Sequence, residues 1–427
     1  MRGILSFILA LLAAQIAHAE PVAAQPAARF VDSIGVNVHA HDRYVAQHDL
    51  VKTRLGELGV MHVRDGIHPR ACRYAAEFFA DLGVRTTFIT GRRVGGEKEY
   101  LSPLDPVKID AELGEIKALA LPAAEAIEGP NEYDIHSDQR DLDWPATLRR
   151  YHQLVFEKAK ADPALRALPI VGPSLTSEKA YEKVGDLDAW IDAACLHHYQ
   201  STRPPGTPGW GANGYGSIDW ALKFLAARQS PSGKAVWSTE CGYEPGGGDH
   251  IPEAVEAKYL PRMFAEFFRR GYFRSFKYEM LGNQWGLVRD DGSPRPAFQA
   301  LKNLITLLRE PVASGGTRSP GALDFAITGA PRDLRSVLLQ KASGEFFLLL
   351  WRELPGWAPD KKVVLSAPPA EVTLALAEPA AVTLRVLGDD GALATIPVSA
   401  SAESKSIPLR VSDAIAIVEL KLPNTKP

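Results

Sequence analysis

Cysteine is scarce. Cys72, Cys195 and Cys241 are the three in 427 residues. At most one disulfide can form, and none of the three belongs to a CxxC pair or a metal-ligand spacing, which excludes a disulfide framework. An excess of charge of one sign is also missing. With 48 basic and 51 acidic residues the net charge is −3, so the basic footprint that nucleic-acid binding needs is absent. After the first twenty residues no stretch approaches the roughly 20 consecutive apolar residues of a membrane helix. That excludes stable membrane insertion by a helix. No glycine-rich phosphate fingerprint follows the first strand-like run, which argues against a doubly wound dinucleotide-binding sheet.

What is present is an ordinary globular composition, 46% hydrophobic and 23% charged, long enough for two domains. Residues 1–19 read as a signal peptide: Arg2 is the positive start, 4–14 is a short apolar run, and Ala17-His18-Ala19 is a small-x-small cleavage site. The expected product is exported, periplasmic or secreted, and begins at Glu20.

From Ser33 onward, eight strand-like runs alternate with windows of helical spacing. They are SIGVNVHA (33–40), VMHVRDGI (60–67), RTTFITG (85–91), AIEGPNE (126–132), PIVGPSL (169–175), CLHHYQ (195–200), AVWSTECGY (235–243) and SFKYEML (275–281). Gly59, Gly83 and Gly271 follow three of the helical windows as stop signals. Eight such units predict a (β/α)8 barrel over 20–308. A Pro-, Gly- and Ser-rich linker is expected over 309–320. Over 321–427 helical periodicity gives way to short alternating runs such as EFFLLLWRE (345–353) and KSIPLRV (405–411), which predict a β-sandwich. Packing against the barrel is its expected role. Trp351 and Trp357 are the aromatics that sugar binding by the sandwich would need.

In such a barrel the site lies at the C-terminal ends of the strands. Two carboxylates end apolar runs there, Glu132 on the fourth strand and Glu240 on the seventh. Those strand ends face each other across the mouth, where two carboxyl groups can flank one glycosidic bond. Glu128, deeper in the fourth strand, competes weakly. His39, His41, Arg64, Asp65, Arg92, Arg93, Asn131, His197, His198, Tyr199 and, on the eighth strand, Glu279 or Trp285 complete the strand-end polar and aromatic set. His197 and His198 are adjacent and point to opposite faces of a strand, so they do not share an ion, and no metal is expected. Loop 201–216, with five Gly, three Pro, Trp210 and Tyr215, and loop 243–250 are candidates for ligand contact.

Asn131-Glu132 inside GPNE, Glu240 inside WSTECGY and the His197-His198-Tyr199 run together resemble glycoside hydrolase clan A, nearest to families 5 and 39. The resemblance implies Glu132 as acid/base, Asn131 on the sugar 2-hydroxyl and Glu240 as nucleophile. It also implies that Arg64 touches the nucleophile and that His197 and Tyr199 form the sixth-strand pair. One departure concerns the eighth strand, which the clan usually ends with an aromatic floor. Here it reads KYEMLGNQWGL, leaving Tyr278 or Trp285 for that place. His39 is a further candidate for substrate contact, and Trp210 for stacking on a sugar.

The expected activity is exported retaining hydrolysis of an oligo- or polysaccharide, by a monomer without a cofactor. A non-catalytic carbohydrate-binding barrel and a transglycosylase using the same carboxylates are the alternatives. The Glu240 charge is expected to raise the Glu132 pKa.

Overall fold

In a computed structural model of the chain, the described residues are 20–40, 42–94, 102–135, 141–246, 248–310, 319–398 and 404–423. The signal read over 1–19, His41, Gly247 in the second candidate loop and most of the linker read over 309–320 lie outside them.

Two short strands come first, β1 (Glu20–Ala23) and β2 (Gln25–Pro26). The barrel strands follow: β3 (Ile34–Asn37), β4 (His62–Gly66), β5 (Arg85–Ile89), β6 (Ala124–Glu128), β7 (Ile170–Val171), β8 (Ala193–His198), β9 (Ala235–Cys241) and β10 (Tyr272–Lys277). They close in the order β10-β3-β4-β5-β6-β7-β8-β9. β10 pairs in parallel with both β3 and β9, which seals the ring. Helices His48–Leu58 and Pro69–Leu82 end at Gly59 and Gly83, whose φ of 81° and 72° favour a residue without Cβ. The run expected to be strand through Glu132 stops at Glu128, because Pro130 has no N–H for a ladder. Asn131 then rejoins the neighbouring chain through a bridge to Ser174.

The C-terminal strands are β11 (Ala322–Thr328), β12 (Leu334–Gln340), β13 (Phe346–Arg352), β14 (Trp357–Ala358), β15 (Val363–Val364), β16 (Ala370–Leu376), β17 (Ala381–Leu387), β18 (Leu393–Ile396), β19 (Ser406–Val411) and β20 (Ala416–Lys421). A four-stranded sheet has the order β1-β11-β16-β19, and a six-stranded sheet β18-β17-β20-β13-β12-β2. Residues 20–26, assigned to the barrel from sequence, therefore pair in the C-terminal sheets. β1 runs antiparallel to β11 and β2 parallel to β12. The cause is edge chemistry: β11 and β12 each leave a row of unpaired N–H and C=O groups that a short extended segment satisfies.

β13 explains how the sandwich meets the barrel. Phe346, Leu348 and Leu350 face the interior between the two sheets. Phe347, Leu349 and Trp351 alternate with them and join the barrel core, which includes Tyr259, Leu301 and Leu304. Trp351 and Trp357 are buried in that core, so neither presents a ring to a sugar at the sandwich surface. Arg262 on helix Glu253–Arg269 crosses the junction to Glu353 at 2.6 Å, both side chains almost fully enclosed.

Candidate active site

A cavity of about 760 Å³ opens at the C-terminal end of the barrel, and Asn37, Arg64, Asn131, Glu132, Glu240 and Tyr278 are among its lining residues. Glu240 lies near the end of β9, and its side chain is held at both oxygens. Arg64 Nη1 donates to Oε1 at 2.8 Å, and the Tyr199 hydroxyl donates to Oε2 at 2.8 Å. Glu132 follows the Gly129-Pro130 break with φ of 42°, a left-handed conformation that costs a non-glycine residue about 1–2 kcal/mol. Its amide donates to the Ser174 carbonyl at 3.1 Å, which over-determines that geometry. His197 Nδ1 stands 2.7 Å from Glu132 Oε1 and 3.5 Å from Glu240 Oε2, between the two carboxylates. Oxygens of Glu132 and Glu240 lie within 4.8 Å of each other.

Arg64 is the hub. Its Nε and Nη2 form a two-point pair with Glu128 at 2.7 and 2.8 Å, its Nη1 also reaches Asn37 Oδ1 at 2.9 Å, and its Nη2 reaches Asn131 Oδ1 at 2.6 Å. Glu128 is therefore committed beneath the site, with Thr239 donating to it as well. Asn37 was missed from sequence. The available signal was a carboxamide near the end of an otherwise apolar strand; its Nδ2 ties β3 to β9 through the Thr239 carbonyl at 3.0 Å.

The aromatic side of the site is built from the loop after β10. Tyr278 lines the cavity. His39, which also lines it, meets Tyr278 and Tyr44 edge-on at 5.6 and 5.7 Å. Trp285, not itself among the lining residues, stands edge-on to Tyr199 at 5.4 Å and to Tyr278 at 6.2 Å. Below them Glu279 accepts from Tyr44 at 2.6 Å and from Arg43 at 2.7 Å. Arg43 and Tyr44 lie in the loop after β3 and meet Glu279 only through barrel closure, so no local pattern marked them.

Trp210, expected to stack on a sugar, is not among the cavity-lining residues. Its ring lies under Arg203 at 3.9 Å and beside Tyr215, and Gly216 packs directly against it. The same loop is drawn toward the sandwich, where the Gly206 amide donates to Glu353 at 2.9 Å. His198 points away from the site, as strand alternation required, and contacts the Tyr272 hydroxyl at 2.9 Å. Burial lowers its pKa to about 4.

Burial pushes the Glu132 carboxyl up, but the His197 hydrogen bond and charge, with Arg64, outweigh it and leave Glu132 below the usual carboxylate range. This reverses the direction expected from Glu240 alone, since the imidazole between the carboxylates is a tertiary contact. Burial and the Glu240 charge raise the Tyr199 phenol well above its ordinary value, keeping it a donor to Glu240. Glu132, His197 and Glu240 are the grouping among the described residues whose donor atoms are close enough to bridge an ion. Arg64 at 2.8 Å from Glu240 puts a cation there already, so the chemistry of the group favours a hydrogen-bonded array over a metal centre.

No protein-family model matches the sequence, and no curated protein does. Solved structures do match in shape. A family 39 glycoside hydrolase from Bacteroides cellulosilyticus WH2 superposes with a TM-score of 0.62 at 14% identity, covering 93% of this chain and 81% of that one. The family 39 enzyme from Xanthomonas axonopodis pv. citri gives 0.59 at 15%, covering 94% and 96%. A family 51 α-L-arabinofuranosidase from Bifidobacterium longum gives 0.57 at 13%, covering 94% and 97%. The chain has the fold of the clan A glycoside hydrolases. The correspondence spans the barrel together with the C-terminal β domain. No described helix is long and apolar enough to cross a membrane.

Proposed function

We propose that this protein is an exported retaining glycoside hydrolase that cleaves a glycosidic bond in an oligo- or polysaccharide by double displacement. Glu240 attacks the anomeric carbon while Glu132 protonates the departing oxygen. Glu132 then takes a proton from water, which releases the sugar from Glu240. The observation that carries this reading is the separation of the two carboxylates, whose oxygens come within 4.8 Å. Retaining enzymes hold the pair about 5–5.5 Å apart, and inverting ones leave about 6.5–9.5 Å for a water. Asn131 supports the same assignment: Arg64 occupies its carbonyl oxygen, leaving the amide N–H₂ to donate to a sugar 2-hydroxyl. Export rests on the N-terminal pattern, in which cleavage after Ala19 makes Glu20 the first residue. N-terminal sequencing of the protein recovered outside the cytoplasm is expected to begin there.

The test uses two variants and azide. In Glu240→Gly the anion fills the space left by the nucleophile, and an activated glycoside is expected to give a glycosyl azide of inverted configuration. In Glu132→Ala the glycosyl-enzyme still forms on Glu240, and azide is expected to give the retained anomer. The same anomer from both variants means that the roles are wrongly assigned. An inert wild type that binds sugar, with no rescue in either variant, favours a non-catalytic carbohydrate-binding barrel. A panel of mechanism-based inhibitors differing in sugar configuration, read by intact mass, identifies the sugar that labels Glu240.

A further inference from the structure

Lys277, the last residue of β10, is fully enclosed and takes no part in the chemistry above. Its ammonium group donates to three main-chain carbonyls, those of Tyr243 at 3.2 Å, Tyr278 at 2.6 Å and Trp285 at 2.8 Å. Its counter-ion is Glu256 at 3.3 Å, equally enclosed, on helix Glu253–Arg269. The carbonyls belong to two loops that leave the barrel beside the site, one after β9 and one after β10. Gly242, with φ of 134°, makes the approach feasible: a Cβ there would stand 2.6 Å from Lys277 Cδ.

We infer that Lys277 is a positioning residue that clamps the loops after β9 and β10, and so sets the aromatic side of the sugar site and the orientation of the nucleophile. The connection is physical at each link. The clamped Trp285 packs on Tyr199, and the Tyr199 hydroxyl holds Glu240 Oε2. Clamped Tyr278 lines the cavity itself. An ammonium has three donors and no acceptor, so the three carbonyls take all of them while Glu256 balances the charge, and an apolar substitute of similar length removes that donor from each carbonyl and leaves the Glu256 carboxylate without its counter-ion.

This inference rests on the glycosidase reading, and its test follows a wild-type measurement that decides that reading separately. Turnover of a panel of 4-nitrophenyl glycosides by wild type comes first; an enzyme inert on all of them defeats the reading, not the clamp. On the glycoside that is turned over, Glu256→Gln keeps the ammonium on its carbonyls and is expected to retain the wild-type KM. Glu256→Gln/Lys277→Met, neutral at both positions, is expected to raise KM about tenfold or more, with a smaller fall in kcat, as misplacing a site wall does. Glu256→Gln/Lys277→Gln keeps one amide donor group and should fall between them. In a Tyr278→Ala background the Lys277 effect on KM should shrink to the part carried through Trp285 and Tyr199. Unchanged KM and kcat in both double variants, an effect that simply adds to Tyr278→Ala, or failure of both double variants to fold while Glu256→Gln folds, each overturns the positioning role.

Discussion

At the residue scale, His197 bears directly on the acid/base role proposed for Glu132. Its Nδ1 contacts Glu132 directly and approaches Glu240, and it is the principal influence holding Glu132 low against burial. A general acid works only below its own pKa, so in the role proposed for it Glu132 is expected to set the alkaline limb of kcat/KM in the free enzyme. In His197→Ala, burial acts on Glu132 with less opposition and the pKa rises. The alkaline limb is then expected to move to higher pH as kcat falls. A limb that stays in place, or moves to lower pH, would show that another group supplies the proton. Arg64 differs in kind. Its guanidinium serves Glu128, Asn37, Asn131 and Glu240 at once, a geometry that the compact ammonium of a lysine does not reproduce.

At the element scale, two strands of the C-terminal domain illustrate what burial pattern means for energetics. β19 alternates, with Ile407, Leu409 and Val411 buried and Ser406, Pro408 and Arg410 exposed. β13 is buried along both faces, one against the opposing sheet and one against the barrel. Leu348→Ala and Leu349→Ala, on opposite faces of β13, are therefore both expected to cost about 2–5 kcal/mol. On β19, Leu409→Ala falls in the same class while Arg410→Ala stays within about 0.5 kcal/mol. Urea unfolding of the four variants checks the contrast, and a Leu349→Ala cost near zero would mean that β13 does not pack on the barrel. In sequence EFFLLLWRE reads as one of a series of alternating runs; its continuous apolar stretch FFLLLWR is buried on both faces, and the partner of the second face lies outside the local pattern.

At the scale of the whole molecule, one face of the six-stranded sheet belongs to the barrel core while the two sheets enclose a second core, so the stabilities of barrel and sandwich are coupled. Glu353 is the polar counterpart of that junction. It accepts from Arg262 at 2.6 Å, from the Gly206 amide at 2.9 Å and from Trp351 Nε1 at 2.8 Å. Glu353→Ala leaves an enclosed guanidinium without its carboxylate and is expected to cost about 3–5 kcal/mol. Glu371→Ala, which breaks an exposed pair with Arg410, is expected to cost no more than about 1 kcal/mol. Differential scanning calorimetry should give one cooperative transition for wild type. Two well-separated transitions in the wild type would contradict that coupling.

Local pattern alone determined the alternation of eight strands and helices, the change to all-β chemistry after the barrel, and the place of Glu240 near the end of its strand, with Glu132 falling just beyond the end of its own, because hydrophobic period and chain punctuation act over a few neighbouring residues. Tertiary structure alone decided which groups meet across the closed ring. It put His197 between the carboxylates and Asn37 on Arg64, tied Gly206, in the loop that carries Trp210, to Glu353, and drew residues 20–26 into sheets formed three hundred residues later. Those outcomes depend on contacts between residues far apart in the chain, where barrel closure and open sheet edges, not nearest neighbours, satisfy the hydrogen bonds and bury the surface.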